Sequence, residues 1–546
     1  MACVLMELHN SSAANDRSHN MEFRKMVLAG YQGWFATPRN RLLRRWSHWS
    51  RSGEPRRGSS AIELYPDVRE YPADALARTG YANLGQGGVT RLFDSDHEGV
   101  LDLHVRWMQD YGLNGVALQR FVVGIAEERG EWRNSVASHL KLASERRGRT
   151  FYIMYDISGH DGHNLAELML RDYRTTIRDD LKLPASESYA RQGDRPVVAI
   201  WGFGFKNRKG TPEHAERVIR ELREVHGCYV VGGVPYDWRR NETPEGRRWL
   251  KVYKRFDMVI PWAVGRYRDP AQVAEHANTI WAPDKAYCEA EGIDLKRVIF
   301  PGFAWSNLKS NQRNAPERAL SRHMEDTPSA PQNAIPRLAG EFFWAQAFHV
   351  AKLQTSAFIA MFDEFDEATA IAKAAEDRRM IPTDQYFLTL DADGTRVSSD
   401  FYLRLAGEAT RMIEGRLSLT DKVPIDTVPD PDAVAREVQI THGFRGILGR
   451  DPDPGGRATY RAHFASGGTM LEFCEALVNS MEFRQNRSAL KPEEWPDVLY
   501  KKILEREPDP RGRQHTEDEV RNGRLAHRTA VMLDSDEFHS RFLGFV

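Results

Sequence analysis

The chain has 546 residues, of which 41% are hydrophobic, and its formal net charge is -1. This length predicts about two to four domains, with enough apolar material for a large core. Because the net charge is close to zero, it provides no general attraction to nucleic acid or to an anionic membrane, and we expect neither as a partner.

Cysteine usage and the N-terminus bear on the compartment. Four cysteines are scattered along the chain without CxxC spacing: Cys3, Cys228, Cys288 and Cys474. They predict reduced thiols, with neither a disulfide framework nor a zinc site. The N-terminus lacks the basic start and long apolar run of a signal peptide, and no run of about 18 apolar residues follows. The default expectation is cytoplasmic, and an extracellular location would need a route without a signal peptide.

Residues 1–20 are predicted to form a flexible N-terminus. From residue 21 onward, apolar and β-branched runs alternate with amphipathic segments, which is typical of alternating strands and helices. Most of the apolar runs are continuous, as required of parallel strands that are covered on both faces. Eight strands are predicted, at residues 25–35, 113–122, 150–158, 196–205, 228–238, 258–266, 298–305 and 358–365.

Helical patterns occupy the intervals between these strands. The first helix follows a predicted capping box of Ser95 and Glu98 and places Val100, Trp107 and Tyr111 on one face. Further helices are predicted at residues 132–147, 164–181, 212–226, 244–255, 270–291 and 337–353. Strands that are each joined to the next by a helix indicate an α/β fold, a (β/α)8 TIM barrel over residues 21–415.

A polar stretch rich in Asp and Pro, residues 416–434, is predicted to be a linker. It leads into an internal repeat, in which ILGRDPDPGGR from Ile447 matches ILEREPDPRGR from Ile503, and SMEF from Ser480 matches SDEF from Ser535. The apolar spacing is helical, so residues 435–546 are predicted to form a small all-α domain of two repeats, 435–490 and 491–546. The DPDP segment resembles part of a calcium loop, but the other ligands are missing and a proline-rigidified turn is favoured.

The ends of the predicted strands carry the candidate binding residues, because a barrel's active site lies at the C-terminal ends of its strands. Aromatic rings can stack on the C–H faces of sugars while polar side chains bond to the hydroxyls. Taken singly, about half of such residues would belong to the core, and only their shared position favours a binding site. The predicted substrate-binding residues at strand ends are Tyr31, Trp34, Gln119, Arg120, Tyr155, Asp156, Trp201, Asp237, Trp238, Trp262 and Trp305.

The eighth predicted strand runs into the most distinctive segment of the chain, FIAMFDEFDEAT at residues 358–369. It contains four carboxylates within five residues: Asp363, Glu364, Asp366 and Glu367. Burial and mutual repulsion raise the pKa of such groups, so the cluster is costly without a use. One protonated and one ionised carboxyl is what glycosidic bond cleavage requires. The alternative is a helix N-terminus, where acidic residues cap free N–H groups.

These residues resemble those of a known family. The segment EFDEAT, residues 364–369, is similar to the E-W-H-E-G-T segment that closes the barrel of glycoside hydrolase family 99, the endo-α-mannosidases, and of their family 71-like bacterial relatives. AGYQGWF resembles the first-strand segment of these enzymes, with Tyr31 at the sugar-contacting position. WSHW resembles the following loop and adds Trp49 to the predicted substrate-binding residues. The sequence departs from the family pattern at Phe365, Asp366 and Ala368.

The resemblance implies a retaining glycoside hydrolase that cleaves α-mannoside-like linkages in a poly- or oligosaccharide, without a cofactor. It implies that Glu364 takes the proton of the sugar's 2-hydroxyl, that Glu367 protonates the leaving oxygen, and that a 1,2-anhydro sugar forms between the two steps. Asp363 and Asp366 are then tuning residues, and Asp366 is expected to raise the pKa of Glu367.

Two other functions stay open at this point: a glycosyltransferase or polysaccharide-assembly enzyme on the same barrel, and a non-catalytic glycan-binding or scaffold protein. A metal site at His160, Asp161 and His163 has no third distant ligand or HExxH spacing, so a polar substrate loop is favoured and no metal is predicted. The C-terminal modules resemble the domain of unknown function 4214, which implies an interaction with an unidentified protein or surface partner.

Overall fold

The computed structural model describes residues 22–125, 128–313, 331–427 and 431–543. The predicted flexible N-terminus, residues 1–20, and Cys3 lie outside them. The chain divides into two compact units. The first comprises residues 1–81, 91–377 and 384–427, and the second comprises residues 82–90, 378–383 and 428–546.

The first unit contains a closed ring of eight parallel strands. Each strand pairs with the next along the chain, and the last pairs with the first, which confirms the predicted (β/α)8 barrel. The strands are β1 Leu28–Tyr31, β2 Gly115–Phe121, β3 Thr150–Asp156, β4 Arg195–Trp201, β5 Tyr229–Val234, β6 Met258–Pro261, β7 Asp294–Ile299 and β8 Ser356–Ile359. Leu76–Arg78 and Arg91–Phe93 form a separate antiparallel pair after β1, and Arg191–Gln192 pairs with the start of β4.

The last two strands begin earlier and end earlier than predicted. In β7, Lys296 and Arg297 interrupt the apolar pattern, although both side chains are buried. The Lys296 ammonium donates to the carbonyl oxygens of Phe23 and Met26, and Arg297 pairs with Asp284. β8 ends at Ile359, so the acidic cluster lies in the segment after the strand and not within it.

Helices connect the strands and surround the barrel. They are α1 Glu98–Asp110, α2 Glu128–Arg147, α3 Leu165–Asp172, α4 Pro212–Arg220, α5 Pro244–Tyr253, α6 Pro270–His276, α7 Ala282–Glu291, α8 Ser306–Arg313, α9 Glu341–Lys352 and α10 Phe401–Ile413. Wider turns prolong α3, α4 and α6 through Tyr173–Asp180, Glu221–Val225 and Ala277–Trp281.

The predicted capping box of Ser95 and Glu98 is wrong. The N-cap of α1 is His97, whose side chain accepts a hydrogen bond from the Gly99 amide. The Ser95 hydroxyl instead accepts a hydrogen bond from the Phe35 amide, because the chain after β1 returns to this point.

The second unit is helical and has a core of its own, which includes Phe473, Leu499, Ile503 and Leu533. Its helices are α11 Pro431–Ile447, α12 Pro454–Ala465, α13 Met470–Val478, α14 Met481–Asn486, α15 Trp495–Ile503, α16 Pro510–Arg521, α17 Leu525–Leu533 and α18 Asp536–Phe538.

The matching sequence segments of this unit adopt the same local structure. Asp453 and Asp509 are the N-caps of α12 and α16, each followed by a proline at the first helical position. Arg450 pairs with Glu482 through two hydrogen bonds, and Arg506 pairs with Glu537 in the same way. The repeated arginine and the repeated S-x-E-F glutamate therefore join the two ends of each segment.

Within the ranges given above, no helix combines the length and the apolar character that crossing a membrane requires. Cys228, Cys288 and Cys474 are buried free thiols.

Candidate active site

Asp363 connects the segment after β8 to the turn after β1. Its Oδ1 accepts a hydrogen bond of 2.6 Å from the Gln32 amide, and its Oδ2 accepts one of 2.9 Å from the Gly33 amide. The side chain is fully buried. Burial raises the pKa of Asp363 to about 7, although the two amide donors lower it. Asp363 therefore fixes the position of the backbone that carries Glu364.

Glu364 is buried and held at both carboxyl oxygens. Gln32 Nε2 donates to Oε1 over 2.7 Å, and the Thr369 hydroxyl donates to Oε2 over 2.7 Å. Burial raises the pKa of Glu364 and Asp156 raises it further, while the two donors lower it. Both donors stabilise the ionised form of Glu364 and so oppose the effect of burial on its pKa.

Glu367 has the opposite surroundings. Burial raises its pKa to about 8, the negative charge of Glu364 adds to this effect, and Arg208 opposes it. Among the described residues, no side chain or amide donates a hydrogen bond to its carboxyl group, and its carbonyl oxygen accepts one from the Ala304 amide. These surroundings favour the protonated form of the Glu367 carboxyl.

Asp366 lies between these two groups in sequence and is also buried. Burial raises its pKa well above the ordinary value, and the charges of Glu364 and Glu367 add to the effect. Its Oδ1 is buried and has no hydrogen-bond partner in the described part of the chain. The charge of Glu364 raises the pKa of Glu367, and Asp366 and Glu367 also repel each other, as the sequence led us to expect of this pair.

Arg208, in the loop after β4, brings positive charge to the carboxylates. Its guanidinium lies 5.1 Å from the centre of the Trp201 ring, and it lowers the pKa of both Asp156 and Glu367. Trp262 lies edge-on to Trp201, with ring centres 5.5 Å apart. Residues at the ends of β3, β4, β6 and β8, among them Asp156, Trp201 and Trp262 of the predicted set, therefore surround Arg208.

Two residues of this site, Arg208 and Gln32, were absent from the predicted set. A signal for each was present in the sequence. Gln32 follows Tyr31 directly at the end of β1, and Arg208 belongs to the basic segment KNRK after β4.

Tyr31 and Trp49 lie in the core and not at the site, which corrects their assignment as sugar contacts. The Tyr31 hydroxyl lies 2.8 Å from Nδ1 of His104, and both side chains are fully buried. Trp49 is fully buried as well, stacks on Phe35 with ring centres 3.9 Å apart, and donates from Nε1 to the Phe93 carbonyl oxygen. These two rings therefore belong to an aromatic core beneath the acidic cluster and are not exposed for stacking on a sugar.

Arg120 and Tyr155 also leave the predicted site. Both point outward from the barrel to Asp172 of α3. Arg120 makes two hydrogen bonds to its carboxylate, and the Tyr155 hydroxyl donates to Oδ2 over 2.7 Å. Successive side chains of a strand face opposite sides, so the neighbours Gln119 and Asp156 face inward.

The other predicted residues are placed around the same end of the barrel. Trp34 is half-buried and stacks on His48, with ring centres 4.0 Å apart. Gln119 is buried and donates from Nε2 to the sulfur of Met154. Trp305 lies under the Lys309 ammonium, 3.9 Å from the ring centre. Asp237 and Trp238 line a cavity of about 450 Å³, to which Arg208 also contributes.

The loop SGHDGHN forms its own turn bonds. The Gly162 amide donates to His160 Nδ1, and the His163 amide donates to the Asp161 carboxylate. No group of three or more His, Cys, Asp or Glu side chains in the described ranges could hold a metal ion.

Comparisons with known proteins found one family model and several solved structures that are similar to parts of this chain. The domain of unknown function family DUF4214 matches residues 474–542. A structure of the GH99 endo-α-mannosidase from Bacteroides thetaiotaomicron is similar, with 12% identity, a TM-score of 0.49, and coverage of 72% of this chain and 98% of that chain.

The same enzyme in complex with bis-tris propane gives 12% identity, a TM-score of 0.48 and coverage of 72% and 98%. A glycoside hydrolase-like protein gives 13% identity, a TM-score of 0.39 and coverage of 64% and 95%. No curated protein showed significant similarity to the chain.

Proposed function

We propose that the protein is a retaining glycoside hydrolase that cleaves α-mannoside-like linkages in a poly- or oligosaccharide. The observation that supports the proposal is the difference in hydrogen bonding between two neighbouring carboxyl groups. Glu364 receives two hydrogen bonds that stabilise its charge, whereas Glu367 receives none from the described residues and has a pKa raised to about 8. One base and one acid at the C-terminal end of a barrel are what the reaction needs.

In the first step, Glu364 takes the proton of the sugar's 2-hydroxyl, and O2 attacks C1 from the side opposite the leaving oxygen. In an α-mannoside these two groups are trans-diaxial, so the attack closes a 1,2-anhydro ring without an enzyme nucleophile. Glu367 donates its proton to the leaving oxygen as the C1–O bond breaks.

In the second step, water attacks C1 and opens the anhydro ring. Glu367, now ionised, takes a proton from the water, and Glu364 returns its proton to O2. Two inversions at C1 give net retention. Each acid or base contribution is worth about 10²- to 10⁴-fold in rate, so both groups are necessary.

The neighbouring rings support the binding of a sugar. Trp201 and Trp262 are half-buried and in contact with each other, Arg208 lies over Trp201, and the Trp201 Nε1 is buried without a hydrogen-bond partner among the described residues. A sugar hydroxyl can accept a hydrogen bond from this N–H group while the ring face of the sugar packs on the second indole.

The test uses Glu364→Gln and Glu367→Gln, with Glu131→Gln on the exposed face of α2 as the matched control. We expect each active-site variant to lose about 10²-fold or more in reducing-end release from α-mannans, with unchanged thermal melting. An aryl α-mannoside with a good leaving group should restore the activity of Glu367→Gln more than that of Glu364→Gln, because departure of the aryl group needs no acid.

Other outcomes would select the rival functions. Full turnover by either variant would remove the proposed mechanism. Consumption of an activated sugar without hydrolysis of any α-glycan would indicate a glycosyltransferase or polysaccharide-assembly enzyme. Glycan binding that is unchanged in both variants, with no turnover in the wild type, would indicate a non-catalytic glycan-binding protein.

A further inference from the structure

A cavity of about 450 Å³ opens at the C-terminal ends of β4, β5 and β6. Its walls come from the loop at Gly204–Arg208, the loop at Pro235–Asn241 and Arg266 after β6. Aromatic side chains form part of the lining: Phe205, Trp238, Trp249 and Tyr253. The cavity has the size and the mixed aromatic and polar lining of a small-molecule or sugar site.

The charge of this cavity is unbalanced. Lys206, Arg208 and Arg266 line it, against the single carboxylate of Asp237. None of these three cations forms an ion pair with a residue of the described ranges. The Nε of Arg208 is moreover buried without a hydrogen-bond partner among those residues. A buried guanidinium donor that lacks a partner is costly, and an anionic ligand would satisfy it.

Arg208 also connects this cavity to the carboxylate site. Its charge lowers the pKa of Glu367 and of Asp156, so its guanidinium is close to both groups. Burial raises the pKa of Glu367 to about 8, which favours its neutral form. Arg208 forms no ion pair with Glu367 or Asp156 in the described part of the chain, so its guanidinium remains available to a ligand.

We infer that the substrate is an acidic glycan, and that the sugar in the cavity carries a carboxylate or phosphate group that binds Arg208 and Arg266. A guanidinium donates two parallel hydrogen bonds to either anion, whereas a neutral sugar leaves the buried Arg208 donor without a charged partner. The inference rests on the proposed function for the cleavage of that substrate, but its binding component is independent of catalysis.

The test measures binding in the Glu364→Gln background, in which turnover is expected to be at least about 10²-fold slower than in the wild type. Two matched pairs of probes are titrated by calorimetry. The first is phosphorylated yeast mannan oligosaccharide and the same material after phosphatase treatment. The second is hexuronate oligosaccharide and its carboxyl-reduced form. We expect the anionic member of at least one pair to bind about tenfold or more tightly than its neutral form, and the pair that responds identifies the anion.

Substitutions then locate the preference. We expect Arg208→Gln and Arg266→Gln to abolish it, Arg208→Lys to retain part of it, and the exposed Arg268→Gln to leave it unchanged. Equal binding of charged and neutral forms in both pairs would overturn the inference, as would a preference that survives Arg208→Gln in a variant with normal melting.

The two proposals fail in different ways. A charge preference that depends on Arg208, in a wild-type protein that cleaves no glycan, overturns the proposed hydrolase and leaves the inference standing. Efficient cleavage of neutral mannan, without any preference for the charged form, overturns the inference and leaves the hydrolase standing.

Discussion

Gln32 donates a hydrogen bond to Glu364 across the closure of the barrel, with 2.7 Å between Nε2 and Oε1. The amide of the same residue donates to Asp363 over 2.6 Å. One residue at the end of β1 therefore positions two consecutive acids that follow β8. Because β1 and β8 are paired strands, the geometry of the proposed base depends directly on the closure of the barrel.

Gln32→Ala should lower kcat more than it raises KM. The substitution removes a donor that stabilises the ionised form of Glu364, so we expect the pKa of Glu364 to rise and the acidic limb of the kcat/KM profile to move to higher pH. The loss in kcat should be about tenfold, the scale of one hydrogen bond to a charged group.

Steady-state kinetics between pH 4 and 9 measure this effect, and Gln514→Ala on the exposed surface of α16 is the matched control. A pure KM effect, with an unmoved acidic limb, would show that Gln32 contacts substrate and does not position Glu364.

The alkaline limb of the same profile reports on Glu367. Its proton is needed by the leaving oxygen, so kcat/KM should fall as the pH rises through about 8. Arg208 lowers this pKa, and its removal in Arg208→Gln should therefore move the limb to higher pH. Profiles of the wild type, Arg208→Gln and the control Arg268→Gln decide the matter. A limb that stays in place in Arg208→Gln would assign the titration to another group.

Asp363→Asn should change the pH dependence of stability. Burial raises the pKa of Asp363 in the folded protein to about 7, so the folded state binds this proton more tightly than the unfolded state. The contribution of this group is therefore present below its unfolded pKa, near 3.9, and is lost as the pH rises to about 7, by an amount on the order of 4 kcal/mol.

The neutral asparagine has no such titration, but it leaves one of the two amide donors at Gln32 and Gly33 without an acceptor. We expect Asp363→Asn to melt below the wild type at pH 5 and to approach it by pH 8. Thermal melting at several pH values measures the difference, with the exposed Asp194→Asn as control. A constant difference across this range would contradict the assigned titration.

The barrel was predictable because its strands are buried on both faces and its helices are amphipathic, so each leaves a local pattern in the sequence. The failures concern residues whose surroundings are set by distant parts of the chain. The predicted seventh strand began at residue 298, after Lys296 and Arg297, whose hydrogen bonds are accepted by carbonyl oxygens of the segment before β1 and by the Asp284 carboxylate.

At the site, too, the sequence could not predict contacts that are made by distant parts of the chain. The sequence predicts Glu364 and Glu367 at the end of the last strand, but the donors to Glu364 come from Gln32 at the end of β1 and from Thr369 five residues later. The sequence also placed Tyr31 at the substrate. The contact that holds Tyr31 in the core could not be predicted, because its partner His104 lies on a helix in a long insertion that no local pattern connects to β1.

Asp172→Ala should destabilise the barrel without removing the proposed chemistry. The Asp172 carboxylate is buried, accepts two hydrogen bonds from Arg120 and one from the Tyr155 hydroxyl. Removing one partner of a buried ion pair leaves an uncompensated charge and costs about 3–5 kcal/mol. We therefore expect a clearly lower melting temperature, with kcat of the remaining folded enzyme close to that of the wild type, because this network lies outside the barrel wall.

The matched control is Asp179→Ala, which removes an ion pair of similar geometry with Arg178 on the exposed surface. Solvent screens an exposed pair and side-chain entropy offsets it, so the midpoint of this control should shift little. Melting curves of the two variants compare the buried pair with the exposed pair directly. If Asp172→Ala abolished turnover at temperatures where it remains folded, Arg120 and Tyr155 would belong to the substrate site after all, and their outward placement would not describe the working enzyme.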